Sequence, residues 1–322
     1  MSFVLCINRA DIKADTRVFV RCDLDVPLHE GRIGETFRLN ACLKTLSYIS
    51  NRGAIPVIAG HIGRPHGRFV ATLSTKYLQV YFTSHLRGRF EVLENLRFDI
   101  REEIGDPSYA EELARNIQLY VNESFATCHR NSASITGLPR LLPAFAGFQL
   151  TKEVEMLNKV LYDPPRPLTV IVGGAKVESK APLIAKFADV ADCVLVGGKV
   201  ALELKPSNNK VRLPVDYVDT MDIGSRTLEA WRNILLGSKT IVWAGPMGMF
   251  EDERYQTGTK SIAEIVAQAV SAGSFGVVGG GDTITALTKF GLTDKFSFIS
   301  TGGSAMLEYL VAGNLPGIQV LH

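Results

Sequence analysis

The feature that most constrains this chain recurs along its second half, where short apolar segments of strand character are each followed directly by glycines. The pattern occurs at residues 168–174, 193–198, 240–245, 275–281 and 298–303. Such strands, alternating with helical segments, predict a parallel sheet covered by helices on both faces. Because parallel strands end at one edge of a sheet, we expect the glycine loops to meet in a ligand-binding crevice.

The most informative of these loops is Gly-Gly-Gly-Asp-Thr at residues 279–283, between a predicted strand and a predicted helix. Glycines let the backbone approach a ligand closely, and a helix start offers free N–H groups to a phosphate. Asp282 places a carboxylate where a nucleotide-bound magnesium ion needs an oxygen ligand. An ordinary glycine-rich turn explains this stretch alone, so the repetition carries the prediction of a nucleotide site.

The first half shows the same alternation of strands and helices. Strands are predicted at 18–23, 55–59, 90–93 and 119–121, and helices at 37–50 and 110–117. A further helix is predicted at 152–161, and a run containing three prolines then interrupts the chain at 163–167. We therefore predict two α/β domains, residues 1–151 and 166–310, joined by a hinge helix and linker at 152–165.

Composition limits the class of protein. The 322 residues suffice for two domains, and 46% hydrophobic with 21% charged residues is typical of a soluble globular protein. A formal net charge of +2 gives no reason to expect a nucleic acid or a membrane as partner. No signal segment or long apolar run is evident, and the five cysteines form no CxxC. We expect a cytoplasmic protein with reduced core thiols.

Several kinds of nucleotide site are excluded or weakened. The chain has no GxxxxGK[ST], which excludes a P-loop protein, and residues 128–131 do not form the catalytic loop of protein kinases. No GxGxxG follows the first strand, so dinucleotide binding is only weakly indicated. A redox enzyme on a Rossmann-like sheet stays open as an alternative, and it would bind NAD.

Nine motifs that span nearly the whole chain resemble, in order, those of the phosphoglycerate kinase family. They are VRCDLDVP at 20–27, GHIGRP at 60–65, ENLRF at 94–98, YVNESFATCHR at 120–130, GGAKV at 173–177, LPVD at 213–216, WAGPMGMFE at 243–251, GGGDT at 279–283 and STGG at 300–303.

The resemblance implies two Rossmann-like domains with parallel sheets that face a cleft, with residues 311–322 returning to the first domain. It also implies reversible transfer of a phosphoryl group between 1,3-bisphosphoglycerate and ADP, giving 3-phosphoglycerate and ATP. The transfer would be in line and would follow hinge closure. Mg²⁺ would accompany ADP or ATP, and the protein would act as a monomer on small-molecule substrates.

Position by position, the resemblance implies a substrate site in the first domain whose basic side chains suit a ligand with several negative charges. Its predicted members are Asp23, Leu24, Asp25, Arg38, His61, Ile62, Gly63, Arg64, Arg97 and Arg130. A purely structural role for some of these arginines stays open.

The resemblance also implies a nucleotide site in the second domain and a catalytic group that stabilises the transferring phosphoryl. The predicted nucleotide-binding residues are Gly174, Ala175, Lys180, Gly197, Gly198, Pro246, Met249, Glu251, Gly280, Gly281, Asp282 and Thr283. Glu251 would bind the ribose hydroxyls, and Asp282 would bind Mg²⁺ through the nucleotide. The predicted catalytic residues are Arg38, Lys176, Lys180, Gly302 and Gly303.

The chain departs from the family pattern at four positions. Asp25 stands where the family usually has Asn, Ser132 replaces His, Ala244 replaces Asn, and Thr220 replaces a Gly near the adenine. The chain is also shorter than most members, with gaps after residue 67, before 110 and between 204 and 211. These departures leave open a second interpretation, a nucleotide-binding or regulatory protein with weak or no turnover.

Overall fold

The computed structural model describes residues 4–321, so residues 1–3 and 322, which the predicted domains include, lie outside the described residues. The described chain forms two compact units. The first comprises the residues through Glu155 together with those from Asn314 onwards, and the second runs from Met156 to Gly313. The division falls inside the helix Phe148–Leu161, which begins four residues before the start predicted at 152.

The first unit is built on a parallel sheet of five strands, accompanied by one short hairpin. The strands of the unit are, in chain order, β1 (Arg17–Cys22), β2 (Leu28–His29), β3 (Arg32–Ile33), β4 (Ile55–Ala59), β5 (Glu91–Val92), β6 (Leu119–Glu123) and β7 (Ala144–Ala146). Strands β2 and β3 form a separate antiparallel hairpin, and the others lie in the order β5-β4-β1-β6-β7. The chain therefore extends the sheet to both sides of β1, which places the loops after β1, β4 and β6 at one central edge.

Helices cover the sheet of the first unit. They are α1 (Phe37–Ser50), α2 (Gln79–His85), α3 (Ile100–Ile104), α4 (Pro107–Ala114) and α5 (Phe148–Leu161). Helix α1 has the predicted bounds and buries Leu39, Leu46 and Ile49 at helical spacing. The helix predicted at 110–117 instead begins at Pro107, because the Asp106 side chain accepts a hydrogen bond from the Ser108 N–H and caps it.

The second unit is built on a parallel sheet of six strands, accompanied by one short hairpin. In chain order its strands are β8 (Leu168–Val172), β9 (Cys193–Val196), β10 (Val211–Arg212), β11 (Tyr217–Val218), β12 (Asp222–Ile223), β13 (Thr240–Ala244), β14 (Phe275–Gly279) and β15 (Phe298–Ser300). The sheet order is β10-β9-β8-β13-β14-β15, and β11 pairs with β12. This is a doubly wound order whose direction reverses between β8 and β13, the point at which such sheets bind ligands.

Several helices of the second unit begin directly after glycine loops predicted from the sequence. The helices of the unit are, in chain order, α6 (Val177–Val190), α7 (Gly198–Glu203), α8 (Ser225–Gly237), α9 (Thr257–Ser271), α10 (Gly281–Lys289) and α11 (Gly303–Ala312). The starts of α7, α10 and α11 thus lie at the carboxyl ends of strands β9, β14 and β15. Each of these starts offers backbone N–H groups and a positive dipole end to an anion.

The last described segment packs on the first unit. Its helix α12 (Pro316–Gln319) contacts the loop after β6, where the Gly317 N–H donates to the Cys128 carbonyl at 2.8 Å. The Asn122 side chain in turn donates to the Gly317 carbonyl at 3.3 Å. Residues 4–321 contain no helix long and apolar enough to cross a membrane.

Candidate functional site

In the first unit, the carboxyl edge of the sheet brings together most of the predicted substrate residues. Asp25 follows β1, and its Oδ1 accepts a hydrogen bond from the Gly63 N–H after β4 at 2.8 Å. The Gly63 carbonyl accepts one from Arg97, which follows β5, at 2.9 Å. Three loops that are distant in sequence are therefore tied into one basic surface.

Arg38 reaches this surface from the first turn of α1. Its Nη1 lies 3.3 Å from Asp23 Oδ1 and 4.0 Å from Asp25 Oδ2. Burial raises the pKa of the Asp23 carboxyl although the charge of Arg38 opposes that shift, whereas Asp23 raises the pKa of Arg38. Asp23 Oδ2 is buried without a hydrogen-bond partner among the described residues. The pair holds the guanidinium at the sheet edge and leaves most of its donors available.

The ring of His61 lies in a strongly positive electrostatic environment at this edge of the sheet. The ring is buried, and its pKa lies well below the usual value, first because of burial and then because of the charges of Arg21, Arg97, Arg38 and Arg130. The imidazole is therefore neutral at physiological pH. Arg38, Arg97 and Arg130 form a surface suited to a multiply charged anion, and the buried Arg21 adds its charge from behind the ring.

The remaining predicted substrate residues differ in what they expose. Arg64 and Arg130 are exposed on the loops after β4 and β6, and within residues 4–321 the Arg64 side chain makes no hydrogen bond or ion pair. Leu24 and Ile62 are 0% and 3% exposed, so only their backbone can face a ligand. The prediction that they bind substrate is thus limited to main-chain contacts.

The sequence prediction omitted residues that position these loops. Asn95 donates from Nδ2 to the carbonyls of Ile62 and Leu73, both at 2.8 Å, and so fixes the loop after β4. Glu94 binds the backbone N–H of Thr75 and the hydroxyl of Ser74. Both lie inside the ENLRF motif, whose only predicted site residue was Arg97. The position of Asn95 and Glu94 inside this motif was therefore the sequence signal that could have identified them.

A further omitted residue is His129, which precedes Arg130. Burial first and the charge of Arg130 second lower the pKa of His129 to about 4. It is therefore a neutral ring at physiological pH, although it is the neighbour of a predicted substrate arginine. The signal available for it was again its place in a motif, beside a predicted arginine.

In the second unit, the glycine loops pack backbone against backbone at the reversal point of the sheet. The Gly174 N–H donates to the Pro246 carbonyl at 2.8 Å, and the Gly198 N–H donates to the Met247 carbonyl at 3.0 Å. A Cβ on Gly198 would lie 2.6 Å from the Gly174 nitrogen, so only glycine fits there. The loops after β8, β9 and β13 are thereby joined.

The starts of α10 and α11 approach each other in the same way. A Cβ on Gly303 would lie 2.7 Å from the Gly280 Cα, and Gly280 has a φ of +103°. Asp282 is exposed in the first turn of α10, whereas Thr283 is buried and its Oγ1 accepts a hydrogen bond from the Gly245 N–H at 2.8 Å. Thr283 therefore holds the β13 loop, and the N–H groups at both helix starts face one region.

Lys180 supplies the cation of this region. Its ammonium group donates to the Gly173 carbonyl. Burial lowers the pKa of Lys180 to about 8, against the opposing effect of the Asp282 carboxylate. Lys176 lies at the start of α6, and its charge lowers the pKa of Lys180 further. A partly buried ammonium close to helix N-termini is an arrangement that binds phosphate.

The other predicted nucleotide-binding residues lie in or next to these loops, and some are exposed whereas others are buried. Ala175, Met249 and Glu251 are exposed, whereas Gly197 and Pro246 are buried. Ala244 and Ser132, two of the departures, are both buried. Their side chains therefore belong to the packing of each unit.

Thr220 occupies a strained turn. It has a φ of +60° and Asp219 a φ of +48°, at the tip of the hairpin β11–β12. Two consecutive residues with positive φ form the mirror-image turn that favours Asn-Gly, and a β-branched residue is an outlier in this conformation. Met221 then accepts a hydrogen bond at its carbonyl from the Met249 N–H at 2.9 Å, which links the hairpin to the predicted adenine side.

We expect Thr220→Gly to increase the free energy of unfolding by about 1 kcal/mol, because glycine adopts this φ without strain. The thermal midpoint of the protein should rise accordingly. The measurement is thermal unfolding followed by circular dichroism. Thr288→Gly, on the exposed side of α10, is the control and should lower the midpoint because glycine weakens a helix. A lower midpoint for Thr220→Gly would contradict the interpretation of strain.

Comparison with known proteins gives a consistent result. A family model described as "Phosphoglycerate kinase" matches residues 7–212 and 205–313. Similar sequences named phosphoglycerate kinase include that of Thermosipho africanus, 33% identical over 98% of this chain and 96% of its own length. Another, from Borreliella burgdorferi, is 34% identical over 96% of this chain and 97% of its own length.

Solved structures agree with these matches. A structure of phosphoglycerate kinase from Coxiella burnetii has a TM-score of 0.82 and 29% sequence identity, covering 99% of both chains. A crystal structure from Pyrococcus horikoshii has a TM-score of 0.83 and 28% identity, covering 98% of both chains. The similarity therefore extends over sequence and fold alike.

Proposed function

The chain belongs to the phosphoglycerate kinase family, and from this premise we propose which of its residues carry out the reaction. The function is phosphoryl transfer between 1,3-bisphosphoglycerate and ADP, giving 3-phosphoglycerate and ATP. The comparisons support this enzyme rather than a nucleotide-binding protein without turnover or a redox enzyme that binds NAD.

We propose that the anionic substrate binds at the carboxyl edge of the first unit. The observation that supports this most directly is the group of four arginine charges around the neutral, buried His61. Arg38 and Arg97 are held by Asp23 and Gly63, so their free donors are oriented before a ligand arrives. Asp25 Oδ2 lies 4.0 Å from Arg38 Nη1 and 3.9 Å from His61 Nε2, so its negative charge would repel an anionic ligand there.

We propose that ADP or ATP binds at the glycine loops of the second unit, with its phosphates at the starts of α10 and α11. Asp282 fits a role as a Mg²⁺ ligand, because its carboxylate is exposed beside these helix starts. Residues 4–321 contain no group of three or more side chains that could hold a metal ion. Asp282 would thus share Mg²⁺ with the nucleotide phosphates, and the ion would neutralise their charge.

The proposed chemistry needs no nucleophile from the protein, because phosphoryl transfer depends mainly on alignment and charge stabilisation. Lys180 and the N–H groups of Gly302 and Gly303 would stabilise the charge on the transferring phosphoryl, and Lys176 and Arg38 would assist. Hinge closure through residues 152–165, a monomeric state and a cytoplasmic location stay predictions of this proposal.

The two ligand assignments are tested separately by calorimetric titration. We expect Arg97→Gln to weaken the binding of 3-phosphoglycerate by about tenfold or more and to leave the affinity for Mg-ADP unchanged. Arg115→Gln is the matched control, because Arg115 is exposed at the opposite end of the sheet, just before β6. Equal effects of Arg97→Gln on both ligands would contradict the assignment.

A further inference from the structure

Behind His61, a chain of hydrogen bonds runs through the interior of the first unit. It begins at Glu102 in α3, whose carboxylate accepts from the Ser134 N–H at 2.9 Å and from the Ser134 hydroxyl at 2.6 Å. Ser134 Oγ accepts from Arg21 Nε at 3.0 Å, and Arg21 Nη2 lies 3.0 Å from His61 Nδ1. All four residues are at most 4% exposed. Only His61 had been identified as a site residue.

The direction of each bond in this chain follows from the chemistry of the groups. A guanidinium has donors only, so His61 Nδ1 must accept from Arg21, and the ring proton of the neutral imidazole must lie on Nε2. The carboxylate of Glu102 takes the single proton of the Ser134 hydroxyl, which leaves Ser134 Oγ to accept from Arg21 Nε. No alternative assignment satisfies all three contacts.

This series of hydrogen bonds leaves the Nε2–H of His61 as a donor beside the proposed substrate site. His61 Nε2 lies 3.9 Å from Asp25 Oδ2, beside the surface formed by Arg38 and Arg97. That separation is too long for a hydrogen bond, so Asp25 leaves the Nε2–H available. Without Arg21, the proton of a neutral imidazole would no longer be confined to Nε2 and could occupy either nitrogen.

We propose that Arg21 is a positioning residue, held by Ser134 and Glu102, which fixes His61 as the Nε2–H tautomer so that His61 donates to an anionic oxygen of the acid-sugar substrate. The assignment rests on the proposed function for the identity of that substrate. The tautomer itself depends on the buried contacts alone. A merely structural role for Arg21 would predict no effect on the position of the ring proton.

The first test is the tautomer, read from ¹⁵N–¹H correlation spectra of the imidazole ring in the full chain without ligands. We expect the pattern of a neutral ring protonated at Nε2. Arg21→Met should abolish that single pattern, whereas Arg21→Lys, which keeps a donor, should preserve it. A wild-type ring protonated at Nδ1, or an unchanged spectrum in Arg21→Met, would overturn the proposal.

The second test is kinetic and uses the same variants. We expect Arg21→Met to raise KM for 3-phosphoglycerate by about 10- to 100-fold, the range for one hydrogen bond to a charged group, with a smaller change in kcat. Ser134→Ala, which keeps the charge of Arg21 but frees its Nε, should raise KM less and broaden the tautomer signal. The Ser134→Ala variant also tests the proposal if Arg21→Met does not fold. An unchanged KM in folded Arg21→Met and Ser134→Ala would overturn the proposal.

The two readouts separate this inference from the proposed function. If the wild-type protein shows the Nε2–H tautomer but no turnover with 3-phosphoglycerate and Mg-ATP, the proposed function fails and the role of Arg21 in fixing the ring stands. If turnover is present and the tautomer is different, the reverse conclusion holds.

Discussion

Lys180→Ala is expected to lower kcat by about 10²–10³-fold, the loss typical of removing one charge-stabilising donor from an active site. The Lys180 ammonium is held against the Gly173 carbonyl and lies close to Asp282, so its removal takes a fixed positive charge from the proposed phosphate site. The measurement is a coupled assay with 3-phosphoglycerate and Mg-ATP at saturating concentrations. KM for 3-phosphoglycerate should change little, because that ligand is assigned to the other unit.

The control is Lys199→Ala, because Lys199 is an exposed lysine of the same unit that forms an i,i+4 ion pair with Glu203 on helix α7. It should leave kcat within about twofold, as is usual for a surface pair. A similar loss in both variants would contradict a catalytic role for Lys180. Circular dichroism of both proteins establishes that any loss is not one of folding.

The pKa of Lys180 predicts that the binding of Mg-ADP is coupled to proton uptake. With a pKa of about 8 in the free protein, Lys180 is charged below pH 8 and loses its proton as the pH rises above that value. Nucleotide phosphates favour the charged form, so binding of Mg-ADP near pH 8 should take up protons. The binding enthalpy should then depend on the ionisation enthalpy of the buffer in the wild type and not in Lys180→Ala.

Gly303→Ala is expected to lower kcat/KM for the nucleotide by about 10²-fold. The new Cβ would lie 2.7 Å from the Gly280 Cα and 3.2 Å from its nitrogen, and backbone atoms cannot rotate away. The start of α11 must therefore move, which takes the N–H groups of Gly302 and Gly303 away from the phosphates. Steady-state kinetics with varied Mg-ATP measures the loss.

Gly237→Ala is the matched control, because a Cβ at the end of α8 meets nothing within 4 Å. Its kinetic constants should equal those of the wild type. If Gly303→Ala retained full activity, the helix start could not be the source of charge stabilisation.

The regular elements of the fold were largely predictable because their patterns are local. The bounds predicted for α1 and β4 are those observed. The hairpins β2–β3 and β11–β12 were missed because strands of two residues carry no periodicity. Helix α5 starts earlier than predicted because Glu123, at the end of β6, accepts hydrogen bonds from the Gln149 and Leu150 N–H groups, both at 3.0 Å.

For the candidate site, the sequence indicated residues inside motifs but could not indicate how they are held. Arg21 lies between apolar residues of a buried strand, and its partner Ser134 is 113 positions further along the chain. Only the parallel sheet and the π-helical segment Ala133–Gly137 bring the two together. The neutral state of His61 also depends on burial and on charges from other loops, which the sequence does not show.

The backbone packing of the glycine loops bears on how this family diverges. Where the neighbour of a residue is main chain, no compensating change elsewhere can make room for a new side chain. Substitutions such as Ala244 and Thr220 can be accommodated around the loops, whereas a side chain at Gly198 or Gly303 would meet backbone atoms. A chain can thus share one-third of its residues with a relative and keep the packing of these loops, because that packing consists of peptide groups rather than side chains.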